Sequence, residues 1–395
     1  MISVTHFFTH FQSLGGVQSL LRRHLEMDSR WGLETDVTAF FDTDPRSEPR
    51  VSGLGFGWHS TVRSSRRSFS TRLAKDRNRF AVYHNLWGVP FLADLDRAER
   101  RIGLLHVYPR VLGNCLSANR GLLDGVLCVS EPLKTLVQQH LPELDPSRVA
   151  VVPLPISPCP VVPRRPPVGN RPIVIGFNGR LVKEQKRIDR LPGIVRALNQ
   201  AGLNYRLEFL GNGPDQTWLE RQWRGNPRVI FHGRRTGEDY WKILAGWDLI
   251  LFTSDFEGLP LSLLEAMSAG VLPIYPRIHS GGDGYARNVH ADFLYDLGDE
   301  QRVARIVSEI VSAGEPQIES WRACSRREVE PHVGDTYHEV FCGFVRKILE
   351  APRLSREKFK SRPFYLTDFC PFAVLSRIYL RGFYRATCYS NLQSK

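Results

Sequence analysis

DLILFTSDFEGLPLSLLEAMSAG, residues 248–270, reads as three pieces in succession. DLILFTS is an apolar run of strand length, DFEG is a polar turn, and Leu261, Leu263, Leu264 and Met267 then supply the buried face of a helix. Pro260 suits the first helical turn and Gly270 is placed to end the helix. A strand feeding a helix in this way is half of a parallel-sheet unit. The same alternation extends outward: FAVYHNL (80–86), RIGLLHVYP (101–109), GVLCVS (125–130) and RVAVVPLP (148–155) precede it, as do PIVIGFNG (172–179), YRLEFLG (205–211) and RVIFHG (228–233), and VLPIYP (271–276) follows. Continuous apolar runs separated by helix-length segments predict buried strands of parallel sheets, and hence an α/β architecture.

At 395 residues the chain exceeds one ordinary core, and about 100–200 residues per domain favours two domains with a cleft for a ligand between them. Eight prolines fall between 153 and 172, where neither helix nor central strand runs easily. The expected organisation is a first α/β domain over 1–155, a Pro-rich linker over 156–171, a second α/β domain over 172–350, and a tail over 351–395. Hydrophobic content of 42% with 24% charged residues is that of a folded soluble protein. No apolar run approaches the roughly 20 residues that span a bilayer. MISVTHFFTH lacks a basic segment followed by an apolar one, so no secretory signal is expected and the cytoplasm is the expected compartment. Seven scattered cysteines show no C-x-x-C pair and no zinc-type spacing. They read as buried small apolar residues of a reducing compartment. A net charge of +12 calls for acidic partners: phosphorylated small molecules, anionic lipid or nucleic acid.

Chemistry concentrates in the second half. In IGFNGRLVKEQKRID (175–189), Asn178-Gly179 lets the backbone turn tightly, and Arg180 and Lys186 stand six residues apart on the loop that follows a strand. In an open parallel sheet that loop borders the ligand crevice, and two cations there suit a diphosphate. Glu257 falls in the loop before the helix and Glu265 within it. A helix amino terminus attracts phosphate, whereas two carboxylates repel it, so the carboxylates suit hydroxyl donors such as sugar and ribose rings.

EGLPLSLLE (257–265) resembles the E-x7-E signature of family 4 retaining glycosyltransferases of the GT-B fold, and GRLVKEQK (179–186) is similar to that family's GR-x5-K. LGNGPD (210–215), VIFHG (229–233) and the glycine-rich SLGGVQSLLRRH (13–24) fit the same family in order and separation, over about residues 1–345. The resemblance implies two Rossmann-like domains whose parallel sheets face across a cleft, the first taking the acceptor and the second the nucleotide-sugar donor. It implies that Arg180 and Lys186 stabilise the departing nucleotide diphosphate, Glu257 contacts the sugar and Glu265 the ribose. Gly179, Gly211, Gly213 and the backbone at Gly258 and Leu259 would lie against the donor, and Gly15 and Gly16 would approach its diphosphate. Because side chains and a helix terminus meet the leaving-group charge, no metal or other cofactor is expected. The implied reaction transfers a glycosyl group with retention of configuration. His106 occupies the place of the family's donor-facing histidine, with His84 as its rival, and Ser130 resembles the serine at the nucleotide-side strand end.

Other features have simpler readings. Asp42-Thr43-Asp44 mimics a metal-binding D-x-D but reads as a loop, and Asp94-Leu95-Asp96 as a helix face. Residues 58–80 hold seven Arg or Lys against one Asp, and 352–395 mixes nine basic with nine aromatic residues. Arg377, Arg381 and Arg385 fall at i, i+4 and i+8, a basic stripe on any helix there. Both stretches point to peripheral contact with an anionic membrane on its inner face and an acceptor carried there, a lipid-linked or lipopolysaccharide-type glycan. A terminal helix packed back on the first domain competes with that role. A sugar-nucleotide epimerase, a phosphorylase or a basic nucleic-acid-binding protein are the alternatives, but no recognised nucleic-acid motif is present, so no nucleic acid partner is expected.

Overall fold

A computed structural model of the chain describes residues 1–12, 15–43, 48–57, 59–73, 79–107, 112–161, 165–169, 171–354, 366–372 and 374. The chain divides into two compact units, Met1–Val152 with Tyr337–Lys395, and Pro153–Thr336.

Among the described residues the first unit holds seven strands: β1 (Ile2–Phe8), β2 (Leu33–Ala39), β3 (Val51–Gly53), β4 (Arg79–His84), β5 (Arg100–Leu105), β6 (Gly125–Cys128) and β7 (Val149–Val151). They form one sheet in the order β3-β2-β1-β4-β5-β6-β7, every pairing parallel. β4, β5 and β6 are buried along their whole length, as helices on both faces of a parallel sheet require. The second unit holds β8 (Ile173–Asn178), β9 (Tyr205–Leu210), β10 (Val229–Gly233), β11 (Leu249–Leu251), β12 (Leu272–Pro276) and β13 (Leu294–Tyr295), parallel in the order β10-β9-β8-β11-β12-β13. In each sheet the order reverses once, between β1 and β4 and between β8 and β11. Ligands of open α/β sheets bind at such a reversal, beyond the carboxyl ends of the strands.

The apolar runs from 80 onward all fall on strands. β1, β2 and β3 carry interleaved polar residues (ISVTHFF, LETDVTA, VSG), which hides them from a search for continuous apolar runs. The helix Thr336–Glu350, which a boundary at 350 places in the second domain, packs in the first unit. Its Phe341, Cys342, Val345 and Ile348 are buried, and the Arg100 guanidinium donates to the carbonyls of Ile348, Leu349 and Ala351, each at 3.0 Å. A cation on the last carbonyls of a helix also complements its dipole. Farther on, Phe372 is fully buried among Phe40, Phe41, Phe56 and Phe91, and its N–H donates to the Ser60 carbonyl at 2.7 Å. Arg377, Arg381 and Arg385 lie outside the described residues. Among the described residues no helix is long and apolar enough to cross a membrane.

Of the described cysteines only Cys128 and Cys342 are buried, Cys159 and Cys324 are half-buried and Cys370 is exposed, so burial does not account for them as a class. Asp94 and Asp96 are not a helix face: the helix there stops at Leu92, Asp94 pairs with Arg66 at 2.6 Å, and Asp96 is buried between Arg79 and Tyr83. Asp42 orders its loop, accepting from the N–H groups of Phe11 at 2.6 Å and Gln12 at 3.0 Å.

Candidate functional site

The loops after β8 and β11 meet where the second sheet reverses. Lys186 Nζ lies 2.6 Å from Glu257 Oε1, with both side chains largely buried. Ser254 Oγ donates to the same oxygen at 2.7 Å. Two further bonds lock the loops together, Thr253 Oγ1 to the Lys186 carbonyl at 2.6 Å and Asp255 N–H to the Gln185 carbonyl at 2.9 Å. Arg187, in the left-handed region at φ 50°, and Arg190 clamp Asp255 at 2.8 and 2.6 Å. The cation and carboxylate thus satisfy each other in a rigid frame. Lys186 still has two ammonium protons for another acceptor.

Arg180 differs. It is exposed and makes no hydrogen bond or ion pair among the described residues. Gly211 and Gly213 near it are required by close backbone approach, whereas Gly179 stands against the Lys186 side chain. A Cβ at Gly211 would stand 2.1 Å from the Gly179 carbonyl oxygen, one at Gly213 2.3 Å from the Leu181 carbonyl oxygen, and one at Gly179 3.3 Å from Lys186 Cε.

The helix Leu261–Ser268 follows Glu257, with Pro260 just before it and Gly270 at φ 71° just after. The side chain of Leu259 is buried, and the Gly258 carbonyl accepts from Gly281 N–H at 2.7 Å. The N–H groups of Gly258 and Leu259 donate to nothing among the described residues, which leaves two donors at the amino end of the helix. Inside the helix, Glu265 Oε2 accepts from Tyr240 OH, which itself accepts from Asn178 Nδ2 at 2.8 Å. Burial raises the Glu265 carboxyl above its ordinary range, and the Tyr240 hydrogen bond opposes that rise. Burial, with the Glu265 charge beside it, also pushes the Tyr240 hydroxyl far up, so it stays a donor. Tyr240, Ser254, Gln185 and Asp255 were not legible as site residues, because nothing in their local sequence distinguishes them from ordinary helix and loop positions.

In the first unit the sequence candidates lie on or after four strands, β1, β4, β5 and β6. Gly15 and Gly16 are exposed at the start of the helix Gly16–Met27. Ser130 precedes the helix Glu131–His140, and its buried hydroxyl has no partner among the described residues. His106 and His84 are not rivals: His84 Nδ1 and His106 Nε2 are 2.7 Å apart, and His84 Nε2 meets His6 Nδ1 at 2.9 Å. Burial lowers the imidazole of His106 to about 3, and lowers those of His6 and His84 well below the ordinary value. Among the described residues, His6, His24 and Asp28 bring potential metal-ligating atoms within 4.8 Å of one another. Hydrogen bonds account for that arrangement, since His24 uses Nδ1 on Asp28 at 2.9 Å and Nε2 on Tyr337 OH at 2.7 Å.

Residues 172–313 match the family model described as Glycosyl transferases group 1. The lipopolysaccharide 1,6-galactosyltransferase of Escherichia coli strain K12 is 28% identical over 191 residues, covering 46% of this chain and 49% of that protein, so the chain matches about half the length of this curated relative. The structure of the apo lipopolysaccharide outer core galactosyltransferase WaaB superposes with a TM-score of 0.69 at 19% identity, over 88% of this chain and 99% of that one. Anabaena HepE, solved in complex with UDP, gives a TM-score of 0.67 at 14% identity, over 86% of this chain and 98% of that one. The strand orders, the two-unit architecture and these likenesses identify a GT-B fold, within which residues 172–313 match the Glycosyl transferases group 1 model.

Proposed function

We propose that the chain is a retaining, metal-independent glycosyltransferase of family 4 that moves a sugar from a nucleotide-sugar donor to a glycan or lipid-linked acceptor in lipopolysaccharide or other surface polysaccharide assembly. The observation that carries this reading is the grouping at the β8/β11 reversal: exposed Arg180, the Lys186–Glu257 pair and two undonated backbone N–H groups at a helix start. Such a site answers a diphosphate flanked by hydroxyl-bearing rings. Arg180 and the N–H groups meet the phosphates as charge builds on the leaving group, and Lys186 adds a cation without leaving Glu257. Glu257 then accepts from a sugar hydroxyl, and Glu265, with Oε1 unbonded among the described residues, accepts from a ribose hydroxyl. Uridine diphosphate is the first nucleotide to test, since a neighbouring structure holds it, and galactose the first sugar, since the relatives are named galactosyltransferases. Gly15, Gly16, Ser130 and His106 are the first unit's candidate donor-binding residues. The anionic inner face of the membrane is the proposed location of the acceptor, motivated by the basic helix Val62–Leu73 and the basic tail.

A thermal-shift screen across UDP, GDP, ADP and dTDP sugars tests the reading. A ligand at about 100 times its Kd raises stability by about 2.7 kcal/mol. The expected result is a shift with one donor series that disappears in both Arg180→Ala and Glu257→Ala, without added metal. No shift with any sugar nucleotide, or shifts unchanged in those variants, overturns it.

A further inference from the structure

His6 on β1, His84 at the end of β4 and His106 just after β5 stand in a row on the same side of three adjacent parallel strands. His6 on β1 is in register with Val82, two residues before His84 on β4, and His84 is in register with Leu104, two residues before His106. Each step of two residues keeps the side chain on the same face of the sheet, which brings the rings into a hydrogen-bonded line. His6 and His84 are wholly buried, and His106 is 8% exposed, so the line opens only at His106. The His84 and His106 rings lie within 4° of parallel.

Neutral imidazoles joined this way can arrange their protons in only two orders. In the first, His106 Nε2–H donates to His84 Nδ1, His84 Nε2–H donates to His6 Nδ1, and the remaining proton sits on His6 Nε2. In the second, every proton is on Nδ1: His6 donates to His84, His84 donates to His106, and His106 carries its N–H at the open end. His6 Nε2 decides between them. It is buried and has no hydrogen-bond partner among the described residues. Its aromatic neighbour His24, with ring centroids 4.2 Å apart, already uses both nitrogens on Asp28 and Tyr337. The first order therefore strands a buried N–H at His6, whereas the second leaves only a lone pair there. Orphaned buried donors are the rarer and more costly case.

We propose that His6 and His84 are positioning residues that hold His106 as its Nδ1–H tautomer, so that His106 offers a neutral hydrogen-bond donor, not a base, to a substrate oxygen. The substrate oxygen is a sugar hydroxyl if the proposed glycosyl transfer is correct. The tautomer itself does not depend on that reading. Which nitrogen of an imidazole carries the proton is set by what its other nitrogen bonds, and here the setting passes through two rings from a single buried atom.

Long-range proton–nitrogen correlation spectra of the full chain, labelled with nitrogen-15 at histidine, read the tautomers directly, with the His106 signal assigned by its loss in His106→Gln. At neutral pH without donor, His6, His84 and His106 should all show the Nδ1–H pattern. In His84→Phe, the His106 signal should move toward the Nε2–H form that an unconstrained histidine prefers. An Nε2–H or doubly protonated His106 in the unaltered chain overturns the proposal, as does an unchanged His106 in a folded His84→Phe. If that variant does not fold, the spectrum of the unaltered chain decides. A chain that binds no sugar nucleotide but shows the expected spectrum would sink the proposed function and leave the tautomer assignment standing.

Discussion

At the β8/β11 reversal, loops gather opposite charges that neutralise one another; at the β1/β4 reversal, strands gather neutral rings that charge would disrupt. Lys186 and Glu257 are 71 residues apart in sequence but sit on loops that close beside each other, and each makes the other's burial tolerable. His6, His84 and His106 are uncharged because burial opposes protonation, and they hold together only by sharing protons. One cluster is built to meet developing charge, the other to orient a hydrogen bond. The two should therefore fail differently when altered.

The largest effect is expected at Lys186. Removing one preorganised group that meets transition-state charge costs about 10²–10³ in kcat, so Lys186→Met should lower transfer by that order. It also strands a buried carboxylate, and breaking one half of a buried pair costs about 3–5 kcal/mol. Adding Glu257→Gln to Lys186→Met should recover much of the lost melting temperature and none of the activity. A double variant that regains activity would show that the stranded Glu257 charge, not the loss of the Lys186 cation, is what disables the single variant.

Asp28 is the corresponding charged hub beside the histidine row. It is fully buried and accepts from His24 and Thr35, with His338 Nε2 at 3.4 Å. Burial works against its charge, but His24 and His338 hold its carboxyl far below the ordinary value. A depressed carboxyl stabilises the fold above its unfolded pKa of about 3.9 and loses that contribution as pH falls below it. Asp28→Asn should lower stability by about 3 kcal/mol in chemical denaturation at pH 7, and the gap to the unaltered chain should narrow below pH 4. A gap that stays constant down to acid pH would show that Asp28 acts through packing alone.

How far each cluster could be read beforehand follows from this contrast. Arg180, Lys186, Glu257 and Glu265 sit within short local strings, and local strings fix which residues ride on the loop after a strand. Glycines at 179, 211 and 213 were legible as a motif, but their surroundings, carbonyl oxygens 2.1 and 2.3 Å from where a Cβ would go at 211 and 213 and the Lys186 side chain 3.3 Å away at 179, emerge only from two loops packing together. The pairing of Lys186 with Glu257 was not legible, because their separate spacings assign one to phosphate and the other to hydroxyls. The histidine row was still less so. His6 lies in ISVTHFF, whose interleaved polar residues hid the strand itself, and only the register of β1, β4 and β5 joins it to His84 and His106.

A smaller effect is expected at Tyr240, whose hydroxyl links Asn178 to Glu265. One hydrogen bond to a charged group is worth about 1.5–3 kcal/mol in total, but a ribose hydroxyl can take over as donor to Glu265. Tyr240→Phe should therefore weaken donor binding by several-fold with little change in kcat, as read by steady-state kinetics. A fall in kcat with KM unchanged would move Tyr240 from nucleotide placement to the chemical step.

The smallest effect concerns the charge on Glu265 alone. Its carboxyl is raised above the unfolded value by burial, with Tyr240 opposing. A raised acid contributes stability that is fully present below the unfolded pKa, about 4.3, and is lost as pH rises through the folded one. The ionised Glu265 is then a mild liability at neutral pH, carried by the fold in exchange for an acceptor at the site. Glu265→Gln should be slightly more stable than the unaltered chain at pH 7, by about one or two degrees in melting temperature, with the difference closing below pH 4. At the Lys186–Glu257 pair the opposite sign is expected, since Glu257→Gln leaves Lys186 without its counter-charge and should destabilise at pH 7. If both glutamines shift stability the same way, the division of the site into a self-neutralised pair and a strained acceptor is wrong.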